Sequence, residues 1–186
     1  DFLAWYTLAH SSSGMLSKKG ASYTSRFKKL MAKLDGTFDI KHLTTATTGE
    51  PRSLDFRVNF HYNDGGQLKQ ISPWHDIPLE AGGGAYNMVT EIPKYGLAKM
   101  EVDTKGESNP IMQDTKKGKL RFYHGPIFWN YGCLPQTWEN PNEKHPELGC
   151  FGDDDPIDVV EIGASALEAG SVTPVKPLGV LAMIDD

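Results

Sequence analysis

The 186-residue chain has only two cysteines, Cys133 and Cys150, and neither belongs to a CxxC pair or lies beside a histidine cluster. This excludes a disulfide framework and a zinc knuckle, and fits two small core or surface side chains in a reducing compartment. No apolar run approaches the length of a membrane span and no secretory h-region occurs, so the composition reads as a soluble, globular chain. The six histidines are scattered without an H-E-x-x-H pair, and no serine-nucleophile motif is present. Gly82-Gly83-Gly84 lacks the Lys-Ser/Thr that follows in a phosphate-cradling loop, and is predicted to be a turn. Neither an internal repeat nor a heptad pattern appears.

One end also lacks acid. From Phe2 to Leu34 there is no Asp or Glu, while Lys18, Lys19, Arg26, Lys28, Lys29 and Lys33 supply positive charge. The first 34 residues therefore carry +5, with Asp1 counted, and the remainder −10 of the total −5. Such an acidic body is unsuited to a nucleic-acid backbone and well suited to collecting divalent cations. Ser11 to Ser25 is rich in Ser, Gly and Lys, and is predicted to be flexible. Phe27, Leu30, Met31 and Leu34 fall at i, i+3, i+4 and i+7, one face of a short helix that Gly36 can end. We read residues 1–45 as a basic, partly flexible extension, either an organelle transit segment or a surface helix on the body, and residues 46–186 as the main domain. Without a Met at its start and with an apolar run at its end, the chain is expected to be a piece of a longer product.

What is present in excess is aspartate at one place. Asp153, Asp154, Asp155 and Asp158 lie within six residues and lead into Val159-Val160-Glu161-Ile162, which predicts a buried strand. Like charges about 4 Å apart repel by roughly 1 kcal/mol in water and several times that near a protein surface. Solvent, protons or cations must relieve them. We favour cations, hard and oxygen-loving, meaning magnesium or manganese, because no His or Cys stands within the run itself to suit zinc. An acidic surface loop is the alternative. A calcium loop starting at Asp153 fails, because its sixth and twelfth positions would be Asp158 and Ala164, with Pro156 between.

From Leu54 onward the pattern is β-rich. Phe56, Val58, Phe60 and Tyr62 alternate with polar residues and end at Asn63-Asp64-Gly65-Gly66, which predicts a strand entering a hairpin. Asn87 to Ile92 reads as a strand stopped by Pro93. Ala98, Met100 and Val102 alternate with Lys99, Glu101 and Asp103, and Leu120 and Phe122 with Lys119, Arg121 and Tyr123. Leu178 to Ile184 is expected to be a buried strand. Lys116 to Lys119 reads as a solvated turn. Short strands between Gly/Pro turns imply a barrel or sandwich. If the polar faces of the 98–103 and 119–123 strands line one cavity, Lys99 and Arg121 meet Glu101 and the aspartates there. That is a pattern for a metal–phosphate complex. Taken singly, either basic residue also suits a solvated surface. The aromatic run Phe128-Trp129-Asn130-Tyr131 with Trp138 suits pocket-wall packing better than base stacking.

These segments together resemble the soluble family I inorganic pyrophosphatases of the eukaryotic type. The resemblance is carried by Asp153-Asp154-Asp155-Pro156-Ile157-Asp158-Val159, His75-Asp76-Ile77-Pro78-Leu79, Asn87-Met88-Val89-Thr90-Glu91-Ile92-Pro93, Asn109-Pro110-Ile111, Gln113 through Phe122, and Asn130-Tyr131-Gly132 with Pro135-Gln136-Thr137-Trp138-Glu139. It runs in order from about Glu50 to Asp186. It implies a mainly β fold, an OB-like five-stranded barrel with peripheral helices, incomplete at the C-terminal side. It also implies magnesium-dependent hydrolysis of pyrophosphate to two phosphates, in a cytoplasmic homodimer that binds neither nucleic acid nor membrane. A mitochondrion or plastid stays open through the basic segment. By the same resemblance Asp153, Asp155 and Asp158 are metal ligands, Asp155 also helps generate the attacking hydroxide, and Asp185 and Glu101 serve further metals. Lys99, Arg121 and Tyr131 match residues on the phosphates, and Glu91 one that organises the phosphate-binding groups.

Two departures stand out. The family's tyrosine before the Asn-Tyr-Gly step has no counterpart in Gly125-Pro126-Ile127-Phe128-Trp129. The family pattern also continues past Asp186, so this chain alone is expected to be inactive or poorly folded, with Asp158 and Asp185 sharing a half-built site. An inactive relative acting as an interaction subunit and an OB-type nucleic-acid module are the competing readings.

Overall fold

The computed structural model describes residues 38–183. Asp39 opens the described chain by accepting the Lys41 N–H on its carboxylate at 3.0 Å, which caps a 3-10 turn at Ile40–His42. Strands then follow almost without interruption: β1 Leu43–Thr48, β2 Arg57–Asp64, β3 Gln67–Ile71, β4 Glu80–Gly82, β5 Ala85–Ile92, β6 Met100–Val102, β7 Ile111–Gln113, β8 Thr115–Lys116, β9 Lys119–Leu120, β10 Asn130–Cys133, β11 Asp158–Glu161 and β12 Val172–Val175.

The expected alternation in β2 is realised. Val58, Phe60 and Tyr62 are buried and their neighbours more exposed. The β2–β3 turn has both Gly65 and Gly66 at positive φ, which the right-handed twist of a tight hairpin demands, and Asn63 Oδ1 accepts the Gly66 N–H at 2.8 Å. β2 is the trunk of the first sheet, ordered β1-β2-β7-β6, with β3 sharing the β7 edge further along. The second sheet is ordered β11-β10-β5-β12, with β4 also paired to β5. Every residue of β5 from Asn87 to Ile92 is buried, polar Thr90 and Glu91 included, because strands flank it and the core covers it. Pro93, with no N–H to give a ladder, ends it. Val58, Phe60 and Ile111 of the first sheet and Val89, Ile92 and Tyr131 of the second share one hydrophobic core.

The chain is mainly β, as expected. Among the described residues, however, the two sheets stay open instead of closing into a barrel, and no helix longer than the three-residue turn is present. None is therefore long and apolar enough to cross a membrane. The Lys116–Lys119 segment is the expected exposed turn, joining β8 to β9. Both cysteines are free thiols, Cys133 buried and Cys150 half-buried.

Two expectations are overturned. Among the described residues β11 is an edge strand, with Val160 50% exposed and Ile162, just past its end, 69% exposed, not a buried one. Leu178, Val180 and Leu181 are 84%, 67% and 71% exposed, and no strand forms over the described part of 178–184. Apolar content makes burial favourable, but a strand is buried only where a partner sheet covers it. The amphipathic segment 27–34 and Asp185 lie outside the described residues.

Candidate active site

The site is assembled by pairings between distant segments. Tyr131 of β10 lies opposite Ile92 of β5, but its neighbour Gly132 lies opposite Thr90, so Glu91 is an extra residue bulged out of the ladder. Gly132 makes this possible. A Cβ there would sit 1.9 Å from the Val89 carbonyl oxygen, so only glycine lets β10 come so close to β5. Glu91 is 3% exposed, and its Oε1 accepts the Val102 N–H of β6 at 2.7 Å. On the other edge of β10, Cys133 faces Asp158, the first residue of β11. Tyr131 is thereby a diagonal neighbour of Asp158 on the same face, and its hydroxyl donates to that carboxylate.

The basic side comes from another pairing. Lys99 N–H donates to the Arg121 carbonyl at 3.1 Å and Tyr123 N–H to the Leu97 carbonyl at 2.8 Å, with Ala98 bridging Phe122. Alternation then puts Lys99, Arg121 and Tyr123 on one side and Ala98 and Phe122 on the other, with Glu101 two residues beyond Lys99. Lys99 Nζ lies 3.5 Å from Glu101 Oε2 and 3.8 Å from Asp114 Oδ2, and Arg121 Nη1 donates to the same Asp114 oxygen. Asp114 therefore sets both cations. It lies within a segment that carries the family resemblance, but nothing local in the sequence assigns it this part. Lys119, expected on the face of Arg121, belongs instead to the exposed β8–β9 hairpin.

The aspartate run closes the site from a loop. Its middle is tied by the Glu139 N–H donating to Asp155 O at 2.8 Å and the Asp154 N–H donating to Glu139 O at 3.0 Å. Asp153 and Asp154 are exposed. Asp153 Oδ1 accepts the Asp155 N–H at 3.1 Å, and Asp154 accepts from the Trp138 indole at 2.9 Å, turning away from the site residues. Asp155 and Asp158 point inward and are half-buried.

Burial and crowding of like charge show in the protonation of these groups. Burial pushes Asp155 up to about 6, with Asp153 and Asp154 adding to the rise and Lys99 and the Thr104 hydroxyl opposing it. Burial also lifts Asp158 to about 6, against the hydrogen bond from Tyr131, with Asp153 and Asp155 raising it further. Glu101 rises to about 7 through burial and Asp114, opposed by Lys99. Glu91 is held well above the usual carboxylate range by burial and then by Asp158. The Tyr131 phenol is pushed far up by burial and Asp158, and the Tyr123 phenol to about 12 by burial, Asp158 and Glu91.

The sequence-nominated residues Glu91, Lys99, Glu101, Arg121, Tyr131, Asp155 and Asp158 thus gather in one neighbourhood, with Asp153 at its rim. Asp114, Tyr123 and Thr104 join them without having been nominated. Among the described residues no three His, Cys, Asp or Glu side chains already converge on one ion position. The donors are all oxygens, and their mutual repulsion is what a cation would relieve. This suits a hard divalent ion held by one or two carboxylates with water and phosphate oxygens, magnesium's usual mode.

A family model described as inorganic pyrophosphatase matches residues 88–186, and the chain belongs to that family. It is 55% identical over 139 residues to the chloroplastic soluble inorganic pyrophosphatase 6 of Arabidopsis thaliana, covering 74% of this chain and 45% of that protein. It is 50% identical over 149 residues to the inorganic pyrophosphatase of Homo sapiens, covering 77% and 50%. The chain thus spans about half the length of these relatives. Among solved structures, the N-terminally truncated vacuolar soluble pyrophosphatase of Trypanosoma cruzi in complex with PPi superposes with a TM-score of 0.73 at 44% identity, over 81% of this chain and 64% of that one.

Proposed function

We propose that this chain carries the catalytic half-site of a magnesium-dependent inorganic diphosphatase, which hydrolyses pyrophosphate to two orthophosphates; manganese is the second choice of ion. The observation that carries this reading is the gathering of Glu91, Glu101, Asp155 and Asp158 against Lys99 and Arg121 from separate chain segments. Asp153, Asp155, Asp158 and Glu101 would hold the ions, joined by Asp185. Bound divalent ions would neutralise pyrophosphate charge and make water more acidic.

The chain's own groups supply the rest. Arg121 offers its guanidinium fork and Lys99 its point charge to phosphate oxygens, both held in place by Asp114. Asp155, with raised proton affinity, is the group to accept a proton from the attacking water. Tyr131 keeps the Asp158 carboxylate oriented, and Glu91 ties β5 to β6 through the Val102 N–H, fixing the Glu101 strand. A neutral phenol at Tyr131 serves as donor at every working pH.

Two copies of the chain are proposed to pair. The exposed Tyr95 and Phe128, edge to face at 6.2 Å, support an apolar contact there. The cytoplasm is the proposed compartment. A plastid is the second reading, favoured by the chloroplastic relatives and the basic first 34 residues. The test of function is phosphate release from pyrophosphate by the whole protein, required to depend on magnesium and to stop with chelator. Asp155→Asn should lower turnover at least a hundredfold while the circular dichroism spectrum holds and the melting temperature does not fall. Wild-type turnover in that variant would refute the assignment.

A further inference from the structure

Tyr123 has no role in the scheme above, yet its position is defined as tightly as that of any site residue. The Leu97–Lys99 and Arg121–Tyr123 segments pair antiparallel, so Tyr123 stands on the same side as Arg121, two residues away, and as Lys99 across the pairing. Its ring packs against the hydrophobic core, which fixes the direction of the phenol. The phenol feels Asp158, Glu91, Glu101 and Arg121, so it reaches the same neighbourhood as the carboxylates and the guanidinium. The other site phenol, Tyr131, donates to Asp158, whereas among the described residues the Tyr123 hydroxyl has no hydrogen-bond partner. A phenolic donor that no described residue takes, on the same side as a cationic pair, is placed to meet an anion that the protein itself does not contain.

We propose that Tyr123 is a substrate-binding residue, its phenolic O–H donating a hydrogen bond to a phosphate oxygen of pyrophosphate beside Arg121. The inference rests on the diphosphatase reading and adds one residue to it. A phenol is protonated at neutral pH, so it serves as a donor and carries no charge of its own. A hydroxyl donating to a charged oxygen strengthens binding by roughly tenfold to a hundredfold.

The test is calorimetric titration of the full 186-residue chain, wild type and Tyr123→Phe, with non-hydrolysable methylenediphosphonate in magnesium and then with magnesium alone. Tyr86→Phe, five residues or about 17 Å along β5 from Glu91, is the control. Tyr123→Phe keeps the ring packing and is expected to bind the diphosphonate at least tenfold more weakly, with unchanged melting temperature and magnesium affinity. The control should match wild type. Diphosphonate affinity within twofold of wild type in Tyr123→Phe would overturn the proposal. So would an equal loss of magnesium affinity, since the phenol would then act through the carboxylates. If the wild type does not bind the diphosphonate, the Tyr123 contact falls, and magnesium-dependent hydrolysis of pyrophosphate by the whole protein decides separately whether the diphosphatase reading falls with it.

Discussion

Replacing Asp158 by Asn separates what the acidic cluster does for function from what it does to stability. In the folded chain Asp158 is lifted from 3.8 to about 6, mainly by burial. The folded state therefore binds its proton more tightly than the unfolded state, so the ionised group opposes folding. The sign follows. Below the unfolded value the penalty is absent; it grows as pH rises from about 4 and is complete above about 6. A shift of about 2 units corresponds to about 3 kcal/mol at most. The Asn side chain keeps an oxygen to accept the Tyr131 hydroxyl, so the variant loses charge with little loss of hydrogen bonding. In chelator at pH 8, Asp158→Asn should unfold in guanidinium at higher denaturant, with a gain of about 2–3 kcal/mol. At pH 4 the gain should vanish. Millimolar magnesium should then raise the stability of the wild type more than that of the variant, because only the wild type retains the ligand, and pyrophosphate turnover in the variant should be lost. A variant less stable than wild type at pH 8 in chelator, or a gain that does not change with pH, would refute the reasoning that cation binding offsets the cost of burying this ionised carboxylate.

Two further perturbations probe the framework and the cationic pair. Gly132→Ala places a methyl group 1.9 Å from the Val89 carbonyl oxygen, which is backbone and cannot rotate away. β10 and β5 must separate there and the Glu91 bulge must relax, so a loss of about 3–5 kcal/mol is expected in urea denaturation. A loss under about 1 kcal/mol would show that the two strands are not held this close. Asp114→Asn removes the charge that sets Lys99 and Arg121. KM for pyrophosphate should rise about tenfold with a near-constant melting temperature. The Glu101 titration, followed by carbon NMR, should move below its midpoint of about 7, because Asp114 is the largest charge raising it. An unmoved midpoint would remove Asp114 from the site.

The parts legible in the chain are those in which a short stretch contains its own reason. Val58, Phe60 and Tyr62 alternate because one face of β2 is buried, and Asn63-Asp64-Gly65-Gly66 supplies the positive φ the hairpin needs, so both are visible within about ten residues. The stop of β5 at Pro93 is equally local. Lys99 and Glu101 could be placed on one side by strand alternation, and they are 3.5 Å apart. Arg121 could not be placed against them by the same rule, because the β8–β9 hairpin intervenes and sends Lys119 to solvent. The apolar run from Leu178 misled because hydrophobicity reports what a segment would gain from burial and says nothing of whether a partner is there. β12, with Pro174 inside it and only four residues, carries too little periodicity to be foreseen.

By itself the sequence determined the chemistry on offer: an acidic run, hard oxygen donors, two basic side chains on a β scaffold, and motifs enough to indicate the family. Tertiary structure decided which of these groups meet. The bulge that presents Glu91 exists only because β10 approaches β5 at Gly132, far along the chain from it. The anchoring of Lys99 and Arg121 by one Asp114 oxygen, and the idle phenol of Tyr123 beside them, follow from the pairing of 97–99 with 121–123. Such facts are invisible to periodicity, because contacts between segments far apart in sequence are selected by the packing of the whole core and by where each strand finds its partner.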